Sequence, residues 1–426
     1  MPFLKSLRFD GLLSFPPGSE AIELTPLNVL IGPNGSGKSN LIEGIELLHA
    51  LPTGLASAIR EGGGVREWLW KGGGALSTGG LHTQVDLGRG LLEGASYDPL
   101  DPLDALSLTL PEGSESLQYG LTFAGIDRGV EVIEEILEGP ARTENNDAED
   151  STFYYCFRNG RADVSAVDAR GVGDGIKLLT FRDRRSLDRR TLRIDESVLS
   201  QLKDPIVYPE LTQLGRKLEA VRSFREWTFG PKAEVRKGQP TDWPTDVLLP
   251  DARNLGSLLN RLEHSAAWSE FNSYLTRFLP RFQRYSTRIE GGTVQFYLHE
   301  DGLKLPVPAT RLSDGTIRFI AILAQLLSPT PPPLICMEEP ELGLHPDAVS
   351  LLADLLQEAS QRTQLLVTTH SDALVSALTD HADSVLVCEY RNGTVCRRVD
   401  SAKLRFWLDK YRLGEIWRIG EIGGNP

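Results

Sequence analysis

Eight residues near the start of the chain, Gly32-Pro33-Asn34-Gly35-Ser36-Gly37-Lys38-Ser39, fit the spacing G-x-x-x-x-G-K-[ST]. That spacing serves the binding of a nucleoside triphosphate. Glycines let the backbone curl around phosphate oxygens without Cβ clashes. Asn34, Gly35, Ser36 and Gly37 would present backbone N–H groups to the phosphates. Lys38 would reach the β- and γ-phosphates, and the Ser39 hydroxyl would hold Mg²⁺. The plain alternative is a glycine-rich turn between a strand and a helix.

Three groups of residues downstream could complete such a site. Leu312-Ser313-Asp314-Gly315-Thr316 precedes a helix-like run from Ile317 to Leu327. Taken alone it is an ordinary helix cap. Yet the Ser313 hydroxyl, the Gly315 N–H and the helix N-terminus make a second anion site. Pro333-Leu334-Ile335-Cys336-Met337-Glu338-Glu339-Pro340 is an apolar strand ending in two carboxylates, where an open α/β sheet binds its ligand. Adjacent side chains at a strand end point in different directions. Glu338 can therefore face a metal while Glu339 polarises an attacking water. Gln364-Leu365-Leu366-Val367-Thr368-Thr369-His370 ends another apolar run, one helix later. A histidine at a strand end is more often structural, but here it can sit beside the glutamates and bond a γ-phosphate.

These groups need elements to hold them. Leu27-Asn28-Val29-Leu30-Ile31 reads as a buried strand running into the loop, and Leu41, Ile45 and Leu48 after it fall on one helical face. Residues 51–80, dense in glycine around Trp68 and Trp70, read as irregular backbone with aromatic anchors. From 81 to 195 short β-like runs alternate with turns, as in Leu117–Phe123 and Phe153–Phe157 followed by Arg158-Asn159-Gly160. The acidic stretch 144–150 reads as a loop tip. Helical spacing follows at Leu211, Leu214 and Leu218 and at Leu255, Leu258, Leu259 and Leu262. A strand pair turned at Gly291-Gly292 comes next, then an α/β alternation over 312–395. The expected divisions are 1–195, a lobe with the phosphate loop and a β-rich part; 196–300, a helical insert; and 301–426, a second ATPase lobe.

Composition narrows the class. The 426 residues, 40% hydrophobic and 24% charged, suit an ordinary globular protein with a large core. No apolar run is long enough for a transmembrane helix, and the N-terminus lacks a signal-peptide stretch. Cys156, Cys336, Cys388 and Cys396 lack metal-type spacing and read as free thiols of a reducing cytoplasm. A net charge of −13 argues against a surface coated in positive potential. One dense basic segment, Arg182 to Arg190 with Arg193, is either a solvated face with internal Asp–Arg pairing or a contact for nucleic acid or a partner.

Phosphate loop, Leu-Ser-Asp-Gly-Thr, apolar-Glu-Glu-Pro and strand-end His, in that order, resemble the ATP-binding-cassette (ABC) ATPase head. The likeness is to the branch with RecF, Rad50 and the structural-maintenance-of-chromosomes (SMC) proteins, and within it to stand-alone bacterial AAA-type ATPases without coiled coil or nuclease domain. It covers about 1–50 and 305–395. It implies an α/β P-loop fold with an antiparallel β subdomain and a helical insert, and ATP and Mg²⁺ as cofactors. It implies a head-to-tail homodimer in which Ser313 and Gly315 contact the neighbour's ATP. Glu338 would be the metal-side acid, Glu339 the catalytic acid and His370 the switch histidine. Gln201, in preference to Gln84, would be the metal-sensing glutamine. Two departures stand out: Glu338 replaces the usual Asp, and His345 lies where many members have Asp. The tail around Leu413-Gly414-Glu415-Ile416-Trp417 and Gly423-Gly424-Asn425 is also similar to those stand-alone ATPases.

Rival classes fit less well. The 275 positions from Lys38 to Ser313 exceed what a compact transporter ATPase needs. No sustained heptads support a chromosome-scale coiled coil. Only residues 371–426 follow His370, so a nuclease of the overcoming-lysogenization-defect type is expected on another chain. The expected function is an ATP-driven switch in anti-phage defence with a separate nuclease or toxin effector. The alternatives are RecF-like DNA repair, with a possible DNA contact, and a scaffold that binds ATP without hydrolysing it.

Overall fold

The computed structural model describes residues 2–72, 78–88, 116–126, 129–139, 152–171, 178–225 and 227–424. The acidic stretch 144–150, Gly73, Gly74, Asn425 and the side chains of Arg182 and Arg189 lie outside the described residues.

Strands β1 (Leu4–Asp10), β2 (Ile22–Glu23) and β3 (Leu27–Ile31) come first, and β3 leads into helix α1 (Lys38–Ala50). Helices α2 (Leu55–Glu61) and α3 (Val65–Trp68) precede β4 (Thr78–Asp86), β5 (Ser116–Ile126), β6 (Gly129–Gly139), β7 (Thr152–Arg158), β8 (Arg161–Gly171) and β9 (Leu178–Leu187). Next are α4 (Val198–Gln201), α5 (Pro209–Glu219), β10 (Arg222–Phe224), β11 (Gln239–Pro240), α6 (Leu255–Glu263), α7 (Trp268–Phe278), β12 (Phe282–Glu290), β13 (Thr293–Glu300) and β14 (Val307–Pro308). The rest is α8 (Asp314–Leu326), β15 (Leu334–Glu338), α9 (Pro346–Ala359), β16 (Gln364–Thr368), α10 (Asp372–Ala377), β17 (Val385–Tyr390), β18 (Thr394–Arg398), α11 (Ser401–Leu408) and α12 (Leu413–Arg418). This is the α/β class expected, with a separate antiparallel β part.

The chain sorts into two compact units that interleave in sequence. The first comprises Met1–Thr25, Gly35–Val221 and Glu389–Cys396. Its sheet has eight strands in the order β2-β1-β4-β5-β6-β7-β8-β9. Neighbouring strands are antiparallel, and in β5 Leu117, Tyr119, Leu121 and Phe123 alternate inward, as a one-sided sheet requires. The β7–β8 turn uses Asn159 and Gly160 with φ of 50° and 74°, the left-handed pair that a tight hairpin favours. Helix α1 settles on β1 because Gly44 has no Cβ; one there would lie 2.1 Å from the Phe9 ring. Residues 51–72 are more regular than their glycine content suggests. Gly54, Gly62 and Gly64 flank α2 and α3 instead of spreading into loop, and Trp68 is buried as the anchor.

The second unit comprises Pro26–Asn34, Arg222–Cys388 and Arg397–Pro426. Here β10, β15, β16, β3 and β17 lie side by side and parallel. Every residue of β3 and β16 is buried, which explains the continuous apolar runs of the sequence. Gly291 and Gly292, with φ of 56° and 78°, turn β12 into β13 as expected. The C-terminal segment has a mechanical role. A Cβ on Gly414 would lie 2.2 Å from the Asp372 carbonyl, so only glycine lets α12 approach α10 this closely. Trp417 is fully buried, and its indole N–H donates to the Gly424 carbonyl at 2.6 Å. Trp417→Ala should therefore destabilise the protein by about 3–5 kcal/mol. Urea unfolding checks this, and a loss below about 1 kcal/mol would contradict so central a packing role.

Candidate functional site

Register places the key residues. Leu30 of β3 pairs with Thr368 of β16, and Thr368 pairs with Glu338 of β15. Three parallel strands thus end level, and Gly32, Glu339 and Thr369 leave the sheet together at its carboxyl edge. Ligands bind at that edge of open α/β sheets.

The chain then passes from one unit to the other between Asn34 and Gly35. Gly32, Gly35 and Gly37 have φ of 147°, 77° and 95°, values that L side chains rarely adopt. Gly37 caps α1 without any side-chain hydrogen bond, and no acidic residue stands in the first turn. No carboxylate of that turn competes for the positive end of the helix. Ser36 is fully buried, and its Oγ has no hydrogen-bond partner. A buried hydroxyl left unmatched within a phosphate loop fits a ligand oxygen. Lys38 is 7% exposed at the first position of α1.

Glu338 is the last residue of β15, and Glu339 lies just beyond the strand. Arg225 Nε lies 3.5 Å from Glu338 Oε2, while Glu338 Oε1 is buried without a hydrogen-bond partner. An unmatched carboxylate oxygen suits a hard cation such as Mg²⁺, which takes one or two protein carboxylates and completes its shell with phosphate and water. Among the described residues, no group of three or more His, Cys, Asp or Glu could hold a metal by itself. Glu339 has φ of 43°, a strained conformation for a side chain with Cβ. Its N–H donates to Thr368 O at 3.0 Å, which holds the strain in place. Its Oε1 lies 4.0 Å from His370 Nε2. The structure thus brings Glu338, Glu339 and His370 to one edge.

A third acid was not anticipated. Glu341 is buried, accepts a hydrogen bond from the Thr369 hydroxyl, and leaves its other oxygen unmatched. Burial pushes its carboxyl above the ordinary carboxylate range, only partly opposed by the Thr369 hydrogen bond. A carboxyl raised in the folded state gives stability that is full below its unfolded pKa and is lost as pH rises through the folded value. Glu341→Gln cannot ionise, so it should gain on the wild type as pH rises above about 4.3. Urea midpoints at acid and neutral pH check this; a difference that stays constant would contradict it.

Ser313 caps α8, its Oγ accepting from Thr316 N at 3.1 Å, and it is exposed. A Cβ on Gly315 would lie 2.4 Å from the Gly343 carbonyl, so glycine is needed where α8 meets the loop after the acids. Arg236, buried and missed by sequence reasoning, ties this segment down. It donates to the carbonyls of Phe229 at 2.8 Å, Ala309 at 3.1 Å and Leu312 at 2.6 Å, and pairs with Asp314. Arg318, one turn along α8, donates to Trp227 O at 3.1 Å and lies 3.5 Å from Glu339 O. No local pattern marks either arginine; their partners are remote in sequence. His345 caps α9, its Nδ1 accepting from Asp347 N at 3.3 Å.

Gln201 is engaged within its own segment. Its amide oxygen accepts from Arg193 N at 2.7 Å, and its amide nitrogen donates to the carbonyls of Arg193, Glu196 and Ser197 at 3.2–3.3 Å. These bonds tie the side chain to its own segment, with one acceptor position of the amide oxygen left over. Gln84 donates to Ser116 Oγ at 2.9 Å. In the basic segment Arg184 pairs with Asp163 of the neighbouring strand β8 at 3.0 Å, and Arg185 lies 3.9 Å from Asp183. No helix among the described residues is long and apolar enough to cross a membrane.

The family described as "AAA domain, putative AbiEii toxin, Type IV TA system" matches residues 27–83 and 173–376, more than half of the chain. A stretch of 72 residues is 38% identical to the Old nuclease of Escherichia phage P2; it covers 17% of this chain and only 12% of that protein's length. An SMC head bound to the C-terminal winged-helix domain of ScpA matches 94% of this chain and 100% of that one, with TM-score 0.55 and 14% identity. An SMC head with an extended coiled coil from Pyrococcus furiosus, bound to the C-terminal domain of ScpA, matches 96% and 99%, with TM-score 0.53 and 12% identity. At such identities the likeness is one of fold, and the fold is that of an ABC-type ATPase head.

Proposed function

We propose a function on the premise that this chain belongs to the AAA domain family: it binds ATP with Mg²⁺, closes head to tail with a second copy, and hydrolyses the nucleotide. The observation that carries this reading is the common edge at which β3, β15 and β16 end level, with Gly32 at the start of the loop, the two glutamates and His370 following directly from them. In it, Lys38 and the loop N–H groups bind phosphate, and Ser39 with Glu338 holds the metal. Mg²⁺, when bound, would neutralise charge on the phosphates. Glu339 takes the proton of the attacking water, and its strained backbone keeps the carboxylate aimed. His370, beside Glu339, reads the γ-phosphate. Ser313 and Gly315 serve the nucleotide of the neighbouring copy; the exposure of Ser313 supports this.

We read the biological role as a switch in anti-phage defence with a separate nuclease or toxin effector. The family's description, which names a toxin–antitoxin system, and the local identity to a phage nuclease support it. RecF-like repair with DNA contact is the second reading, favoured by the SMC-type fold. The test of the core proposal is sedimentation of Glu339→Gln with saturating MgATP. A dimer is expected, and a monomer would defeat the proposal.

A further inference from the structure

The phosphate loop is braced from behind by residues more than 350 positions away. The Thr394 hydroxyl donates to Ser36 O at 3.0 Å and lies 2.7 Å from Ser14 Oγ. The Thr394 N–H donates to Ser14 O at 2.8 Å. These three residues and Gly37 all belong to the first unit. The fit is tight: a Cβ on Gly37 would lie 1.9 Å from Thr394 Oγ1 and 2.8 Å from Ser14 Oγ. Both bracing segments are fixed in turn. Ser14 lies in a turn closed by Leu12 N to Phe15 O at 3.0 Å and Phe15 N to Leu12 O at 2.9 Å. Thr394 follows a turn with Asn392 at φ 55°, and a Cβ on Gly393 would lie 2.3 Å from Pro16 Cδ.

The consequence follows from peptide geometry. In a trans peptide the C=O and the next N–H point in opposite directions. Holding the Ser36 carbonyl toward Thr394 therefore turns the Gly37 N–H the other way, away from Thr394. Glycine at 37 gives that peptide no steric preference of its own, so something else must fix it. We propose that Thr394, supported by Ser14, is a positioning residue for nucleotide binding, setting the direction of the Gly37 N–H toward phosphate. This rests on the ATP-binding reading above.

The experiment measures MgATP binding with a fluorescent ATP analogue, and KM and kcat of hydrolysis, for the wild type, Thr394→Val and Thr394→Ser. Valine keeps the shape and removes the hydroxyl. Thr394→Val should weaken ATP and raise KM about tenfold, the worth of one ordinary hydrogen bond at a buried site. Its kcat should stay within about twofold, because the interaction serves ground and transition states alike. Thr394→Ser should restore binding, and the melting midpoint of Thr394→Val without nucleotide should fall by only a few degrees, the cost of one lost hydrogen bond. If the valine variant fails to fold, Ser14→Ala carries the test, with a smaller loss of affinity expected. Wild-type affinity in Thr394→Val, or in Ser14→Ala where that carries the test, would overturn the proposal; so would a serine variant as weak as the valine one. A wild type that binds no ATP would remove the ATPase reading, and this inference with it.

Discussion

Glu339→Gln should slow ATP hydrolysis by about 10²- to 10⁴-fold while leaving MgATP bound, the range for loss of a general base. The amide cannot take a proton from water, yet it is almost isosteric with the carboxylate, so the binding residues should be undisturbed. The left-handed backbone at this position, φ 43°, is imposed by the chain around it and does not depend on side-chain charge. Bound nucleotide should accumulate, and with it the closed dimer. Single-turnover kinetics check the first point and sedimentation the second. Hydrolysis at an unchanged rate would remove Glu339 from its role. Equal slow rates in variant and wild type would favour a protein that holds ATP without turning it over.

Lys38→Ala should act one step earlier. Its ammonium is proposed to bond the β- and γ-phosphates through charge-assisted hydrogen bonds, each worth about 1.5–3 kcal/mol. Losing that contact should weaken ATP by about tenfold to a hundredfold or more. Alanine is a better helix former than lysine, so the first turn of α1 should persist. Fluorescent-nucleotide titration and the melting midpoint of the nucleotide-free variant separate lost binding from lost fold. Unchanged affinity would mean that the loop does not hold phosphate through this residue.

Much of this was legible in the residues. The strands that carry the site are buried on both faces, so Leu27–Ile31, Leu334–Met337 and Gln364–Thr368 appear as nearly unbroken apolar runs. Their polar ends then announce the chemistry. What stayed hidden depends on partners distant in sequence. Arg236 and Thr394 act on backbone carbonyls, which carry no side-chain signal. Glu341 differs from its neighbours only in burial, which no local pattern reveals. Gln201 reads only as a glutamine at a suitable place along the chain, and the hydrogen bonds that tie it to its own segment carry no signal in the sequence. The glycine-dense stretch 51–80 reads as irregular backbone, but Gly54, Gly62 and Gly64 punctuate two helices. Cutting the chain where composition shifts also could not reveal that the two units interleave.

The reach of Thr394 across the chain has a bearing on biosynthesis. A nascent chain acquires Gly32 to Ser39 early, but the residue that locks Ser36 arrives some 358 positions later. Until then, on the role proposed for Thr394, the newborn loop lacks that hydrogen bond and should hold nucleotide about tenfold more weakly than the finished chain.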